Sequence, residues 1–206
     1  MSKLISIEGI DGAGKTSLVN KLGELGYTVY HEIPKTIDGL TTEEIQNSED
    51  SLGMAIRTML QSKVEDNDKY RNYMSLMFTR LRQGYQTKLA SLLEENNVII
   101  DRGILSTLVY GHTNNEDNNK ALAEANLKTK TPDVTIYLKI DVETSMKRLG
   151  MRDEKPEAYK TIETVAKNLF LFDQEISKHK DSLNIITVDA TQDKEAVLNQ
   201  VLAIIS

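Results

Sequence analysis

The octet Gly9-Ile10-Asp11-Gly12-Ala13-Gly14-Lys15-Thr16 follows directly on the apolar run Leu4-Ile5-Ser6-Ile7, and no other junction limits the possible folds as much. Its spacing, G-x-x-x-x-G-K-[ST], is that of a phosphate-binding loop. Glycines let the backbone turn its N–H groups inward around a nucleotide β-phosphate, Lys15 reaches the β/γ oxygens, and the Thr16 hydroxyl ligates Mg²⁺. A helix starting near Gly14 adds its positive dipole end, with Ser17 in its first turn. Leu18, Val19, Leu22 and Leu25 give that helix an apolar stripe, and Gly26 ends it. Strand, loop and helix come in the order the motif requires, so the nucleotide contacts are expected from Gly9 through Ser17.

The remaining chain repeats the strand–helix alternation. Tyr27–Glu32 reads as a second strand stopped by Ile33-Pro34, and 35–50 as a polar connection. A helix from Ser51 carries Leu52, Ile56, Met59 and Leu60, with Arg57 just off the stripe. A long helix is expected from about Asp68 to Glu94, its stripe running Tyr70, Tyr73, Met74, Met77, Phe78, Leu81, Tyr85, Leu89 and Leu92. Val98-Ile99-Ile100-Asp101 is a short buried parallel strand ending in an acid. A helical segment runs from Gly103 to about His112, and Asn114–Asn119 reads as a hydrophilic loop before a helix over Lys120–Lys128. Then come a strand over Val134–Leu138, a helix from Val142 to about Leu149, and a charged stretch at about 149–157 suited to a mobile lid. A helix over Glu157–Lys178, a strand over Leu183–Val188 and a helix over Lys194–Ile205 close the chain. The expectation is one domain over 1–206: a three-layer α/β/α P-loop fold with a mostly parallel five-stranded sheet, binding ligands across the C-terminal strand ends.

Composition narrows the chemistry. Without cysteine, neither a disulfide framework nor a thiolate metal site is possible. His31, His112 and His179 have no metal-site spacing. A net charge of −6 argues against a broad nucleic-acid-binding face. No segment approaches ~18 uninterrupted apolar residues, so no membrane span is expected and the chain is expected to be cytoplasmic. Only seven of the 25 basic residues are arginines: Arg57, Arg71, Arg80, Arg82, Arg102, Arg148 and Arg152. That usage suits placement where a planar fork is needed, as on phosphate.

Four strings together resemble the thymidylate kinase family, P-loop enzymes that move the γ-phosphoryl of ATP onto dTMP. They are Ile7-Glu8-Gly9-Ile10-Asp11-Gly12-Ala13-Gly14-Lys15-Thr16; Asp101-Arg102 with Ser106-Thr107 and Tyr110; Pro132-Asp133 before a strand ending Tyr137-Leu138; and Val188-Asp189-Ala190-Thr191-Gln192. The resemblance covers nearly the whole chain. It implies that Arg102 holds the acceptor phosphate, that Asp101 supports Mg²⁺ directly or through water, and that Asp11 orients the substrate sugar or the metal. By the same resemblance Arg57 grips the acceptor phosphate and Phe78 stacks on the pyrimidine. Arg82 hydrogen-bonds the exocyclic oxygen of the base, with Arg80 competing for that assignment. Ser106 and Thr107 lie near the base, and Tyr110 packs where a ribose 2′-hydroxyl would sit. Arg148 packs on adenine beside Ala190 and Gln192, and Arg152 brings to the transferring phosphate the charge that the arginine-free P-loop lacks. A homodimer packed through helices is also implied.

The sequence departs from the family at three places, one of them the lid, which carries fewer arginines than the family leads one to expect. The arginine-glutamate-proline-glycine-glycine segment after the second strand is here Glu32-Ile33-Pro34-Lys35-Thr36, and Gly111 stands where a glutamine usually follows the signature tyrosine. Both border the acceptor base and sugar. Related deoxynucleoside kinases place a glutamate after the second strand as the base for a 5′-hydroxyl proton. The alternatives are therefore a deoxynucleoside or other deoxynucleotide kinase on the same scaffold, and a P-loop regulatory protein with no small acceptor.

Overall fold

β1 (Leu4–Glu8) is buried at all five positions, which requires neighbours on both edges and helices over both faces. A computed structural model of the chain describes residues 2–33, 51–62, 67–150 and 161–206. In it β1 pairs in parallel with β3 (Val98–Asp101) on one side and β4 (Val134–Lys139) on the other. β2 (Thr28–Tyr30) extends the sheet beyond β3, and β5 (Ile185–Asp189) beyond β4. The order β2-β3-β1-β4-β5 is parallel throughout, so every strand delivers its C-terminal end to the same rim.

Nine helices lie among the described residues: α1 (Lys15–Glu24), α2 (Ser51–Gln61), α3 (Asp68–Gly84), α4 (Gln86–Glu95), α5 (Ile104–Tyr110), α6 (Glu116–Leu127), α7 (Val142–Gly150), α8 (Ile162–His179) and α9 (Lys194–Ile205). The main core joins Ile5, Ile7, Val19, Leu22, Ile99, Leu105, Ile136, Phe172 and Val201 across the sheet and its helices. A second cluster, around Leu4, Tyr85, Leu89, Val98 and Ile100, fills the space under α4.

The elements differ from the sequence expectations at informative places. The long helix breaks at Tyr85, whose φ of −95° and ψ of 11° leave the helical basin after the weak helix former Gly84. The buried face of α3 is Arg71, Met74, Ser75, Thr79 and Arg82, whereas Tyr73 and Leu76 are about half exposed. The helix is polar inside because Thr79 and Arg82 hydrogen-bond the side chains of Asn126, Glu32 and Thr107 there. α6 starts within the expected loop: Asn115 accepts from the Asn118 N–H as N-cap, and Glu116 and Asp117 complement the helix dipole. α8 begins at Ile162, capped by Thr161, later than the expected Glu157. The lid stretch, Arg152 included, and Pro34–Thr36 lie outside the described residues.

Candidate active site

Backbone geometry builds the loop after β1. Gly9, Gly12 and Gly14 all have positive φ, and a Cβ on Gly9 would come within 2.8 Å of the Leu138 carbonyl oxygen. Side chains other than hydrogen would open the turn. The resulting cavity, about 100 Å³, is lined by Asp11, Gly12, Gly14, Lys15, Thr16, Ser17, Asp101 and Arg102. Lys15 is buried and donates to the Ile10 carbonyl at 2.8 Å. Burial, helped by the nearby Arg102 charge and opposed by Asp11, Asp101 and Glu8, brings its pKa down to about 7.

Arg102 lies one residue past β3 with φ 67°, a left-handed conformation that costs a non-glycine residue roughly 1–2 kcal/mol. The turn keeps the Arg102 N–H on the Ile7 carbonyl at 3.0 Å and sends the side chain across the loop. Nη1 donates to the Gly9 carbonyl at 2.9 Å, Tyr110 Oη at 3.3 Å and Ser106 Oγ at 3.4 Å, while Nη2 pairs with Asp11. The guanidinium also sits 5.2 Å from the centroid of the Tyr110 ring. Asp11 is shared, for Lys15 Nζ lies 4.0 Å from the same carboxylate. Asp11 is thus shared by two cations beside a cavity lined by phosphate-binding backbone, with the Asp101 and Glu8 carboxylates also acting on both.

Glu8 supports this arrangement from inside the sheet. Fully buried at the end of β1, it accepts from the Gly103 N–H at 2.8 Å, the Ser106 N–H at 3.2 Å, Ser6 Oγ at 3.1 Å and Ser106 Oγ. Burial pushes its carboxyl pKa up against the pull of those donors and of Arg102. The carboxylate therefore pins the first turn of α5 to β1, with Arg102 in between. α7 secures the other flank: Ser145 Oγ donates to the Asp11 carbonyl at 2.8 Å, and Arg148 reaches the Gly12 carbonyl at 3.3 Å. Arg148 also reaches the Thr191 and Gln192 carbonyls at 3.4 and 3.5 Å, joining the P-loop to the loop after β5 that carries Ala190 and Gln192. Thr16 and Asp101 offer a hydroxyl and a carboxylate to the cavity, a hard-oxygen donor set that suits Mg²⁺ once phosphate oxygens complete it.

Residues 7–201 match the thymidylate kinase family. The chain belongs to that family. The probable thymidylate kinase of Methanococcus aeolicus is 34% identical over 155 residues, covering 75% of this chain and 70% of that protein. The probable thymidylate kinase 1 of Saccharolobus solfataricus is 29% identical over 205 residues, covering 100% and 97%. Among solved structures, thymidylate kinase from Candida albicans superimposes with a TM-score of 0.69 at 21% identity over 99% of this chain and 91% of its own. Deoxyadenosine kinase from M. mycoides gives 0.62 at 17% identity over 97% and 96%. At such identities these two likenesses concern the fold alone.

In this thymidylate kinase family member the expected site residues fall into two groups. Asp11, Lys15, Thr16, Asp101 and Arg102 line the P-loop cavity, with Gly9, Ser106 and Tyr110 touching Arg102. Arg82 and Thr107 form a second, buried cluster. Arg82 Nε and Nη2 donate to the two Glu32 oxygens at 2.8 and 2.7 Å, Nη2 also donates to Thr107 Oγ1 at 3.2 Å, and Nη1 donates to Asn126 Oδ1. Tyr85 Oη donates to Glu32. Burial alone would lower the Arg82 pKa, but the Glu32 carboxylate more than offsets it and holds the guanidinium charged; burial and Glu32 together push the Tyr85 phenol up. Arg80 is exposed, whereas Phe78 is half-buried and packs against neither apolar cluster. Arg57, half-buried on α2, does not line the P-loop cavity. Sequence reasoning missed Glu8, Tyr85, Asn126 and Ser145; only Glu8 carried a signal, as an acid within an otherwise uncharged buried strand.

Proposed function

We propose that the chain is a thymidylate kinase in the strict sense, transferring the γ-phosphoryl of ATP to dTMP to give ADP and dTDP. The observation that carries the reading is the pair of cations, Lys15 and Arg102, sharing the single carboxylate of Asp11 at the P-loop cavity. Two phosphate groups brought together there supply the anions that pair needs. An acceptor phosphate is already ionised at neutral pH, so the reaction asks for positioning and charge neutralisation and for no general base. Lys15 binds the donor β/γ oxygens, and Arg102, released from Asp11, binds the acceptor phosphate and the charge that develops between the two. Mg²⁺, held by Thr16 and Asp101, supplies further neutralisation when bound. Asp11, once relieved of Arg102, is placed to orient the acceptor sugar. Tyr110, packed against Arg102 and edge-on to Phe172 at 6.1 Å, forms the wall where a 2′-hydroxyl would fall. Arg57 and Arg152 extend the phosphate grip, and Arg148, Ala190 and Gln192 form the adenine side.

One observation bears on the nucleoside kinase alternative. Glu32 has Oε2 engaged by Arg82 and Oε1 by both Arg82 and Tyr85, and it does not line the P-loop cavity, which speaks against its serving as the base for a 5′-hydroxyl proton. The reading extends to a single domain over 1–206, a cytoplasmic location and a homodimer packed through helices, for which exposed Tyr73 and Leu76 on α3 offer apolar surface. No helix among the described residues is long and apolar enough to cross a membrane. ADP formation from ATP·Mg²⁺ across dTMP, dUMP, dCMP, dGMP, UMP and thymidine tests the proposal. Fast turnover with dTMP and none with thymidine is expected; turnover with thymidine would install Glu32 as a base, and ATP hydrolysis indifferent to every acceptor would favour a regulatory ATPase.

A further inference from the structure

Arg102 stands in a turn that its own residue type does not favour. A left-handed φ of 67° suits glycine, yet an arginine occupies it, so the conformation must be held from outside. β1 holds it. The Arg102 N–H donates to the Ile7 carbonyl at 3.0 Å, and the next N–H, that of Gly103, donates to Glu8 Oε1 at 2.8 Å. Gly103 has no side chain with which to cap α5, and Glu8 does so from 98 residues away, accepting the Ser106 N–H of the first turn at 3.2 Å. A capping serine or aspartate has no room at Gly103, where a Cβ would come within 2.8 Å of Ser6 Oγ and 3.0 Å of Ile100 Cδ1. The carboxylate also accepts from the hydroxyls of Ser6 and Ser106, so each of its oxygens receives two donors. Ser106 has a single hydroxyl hydrogen and gives it to Glu8. It therefore meets Arg102 Nη1, 3.4 Å away, with a lone pair, and a relay runs from the guanidinium through Ser106 to Glu8. Nη1 is fastened further on the Gly9 carbonyl and Tyr110 Oη, whereas Nη2 pairs with the Asp11 carboxylate at the cavity.

We infer that Glu8 is the positioning residue of Arg102: it fixes the left-handed turn and the Ser106 hydroxyl that anchor Nη1, so that Nη2 alone passes from Asp11 to the acceptor phosphate. This rests on the reading of Arg102 as the acceptor-phosphate cation and adds to it what keeps that cation in place once Asp11 lets go. A guanidinium without the anchor would exchange one fixed geometry for many on leaving Asp11, and its alignment on the transferring phosphoryl group would be lost. Glu8 does not line the P-loop cavity, so its part in the transfer runs through Arg102. Glutamine would keep the shape of the side chain and lose half of its acceptors. Whichever way the amide turned, its N–H₂ would face either the Gly103 N–H with the Ser6 hydroxyl or both Ser106 donors. The first turn of α5, and Arg102 with it, would then shift off β1.

A double-mutant cycle tests the inference, with steady-state kinetics of Glu8→Gln in the wild type and in Arg102→Ala, and thermal unfolding to verify that each variant is folded. In the wild-type background kcat with dTMP should fall about tenfold or more, while the ATP KM changes far less. In the Arg102→Ala background the same substitution should change kcat by less than about twofold, because the group it positions is gone. Ser106→Ala, which removes only the hydroxyl of the relay, should show the same dependence on Arg102 with a smaller loss, and it decides the matter if Glu8→Gln does not fold. Equal losses in both backgrounds, the mark of a merely structural role, would overturn the inference and leave the kinase reading intact. So would a folded Glu8→Gln with undiminished kcat. An Arg102→Ala variant as fast as the wild type would overturn the inference together with the role given to Arg102, and a wild type that forms no dTDP would overturn the kinase reading as well.

Discussion

Lys15 shows how a single side chain couples burial to ligand chemistry. Its pKa of about 7 in the ligand-free protein means that near neutral pH only part of the population carries the charge that a nucleotide needs. Phosphate oxygens arriving beside Nζ favour the ammonium form and raise the pKa again. Below pH 6 the lysine is protonated before and after binding, so no proton moves on its account. At pH 8 it is mostly neutral before binding, and ATP binding should take up close to one proton. Calorimetry of ATP binding at pH 8 in buffers of differing ionisation enthalpy reads that uptake directly; a heat independent of the buffer would contradict it. ATP affinity should accordingly fall as the pH climbs from 7 to 9, and Lys15→Arg should flatten that dependence.

At the scale of elements, the departure at Gly111 has a packing cause. A Cβ there would lie 2.5 Å from Ser75 Cβ, 2.7 Å from the Thr107 carbonyl oxygen and 2.8 Å from Leu122 Cδ2. α3, α5 and α6 converge on that point, and a larger residue must push α3 and its polar buried face away from α5. Gly111→Ala should cost about 1–3 kcal/mol by overpacking, and Gly111→Gln more. Urea unfolding of the variants measures it, and a stability unchanged within 0.5 kcal/mol, roughly the scatter expected of a neutral surface change, would show that α3 moves freely. The same convergence explains what the sequence left hidden. The P-loop, the β3 acid and Arg102 are local patterns, set by backbone turns within a few residues, and they were legible at once. The pairing of Glu32 with Arg82 spans 50 residues, and the hold of Glu8 on Ser106 spans 98. No periodicity encodes a carboxylate that finds its partner only after the strands have aligned. The apolar stripe over Asp68–Glu94 misled for a related reason: α3 buries Arg71, Ser75, Thr79 and Arg82, so its hydrophobic residues partly face outward, and Tyr85 at the break donates to Glu32.

For the molecule as a whole, the strand order decides where chemistry can occur. β1 lies between β3 and β4, so the P-loop, Arg102 and the entry to α7 open together on one rim, while β2 brings Glu32 to one side of it and β5 brings Gln192 to the other. Alternating strands and helices made the parallel sheet and its C-terminal rim foreseeable, but not the order of its strands. On the proposed reading Lys15 serves the donor phosphate and Arg102 the acceptor phosphate, with Asp11 between them. The most direct test follows the γ-phosphoryl of labelled ATP in single-turnover mixtures with dTMP, comparing the wild type with Arg102→Ala. The label should appear in dTDP with the wild type, and transfer by Arg102→Ala should slow on the order of 10²-fold or more while ATP binding is retained. Label released as inorganic phosphate by the wild type, or an undiminished rate in Arg102→Ala, would contradict the account.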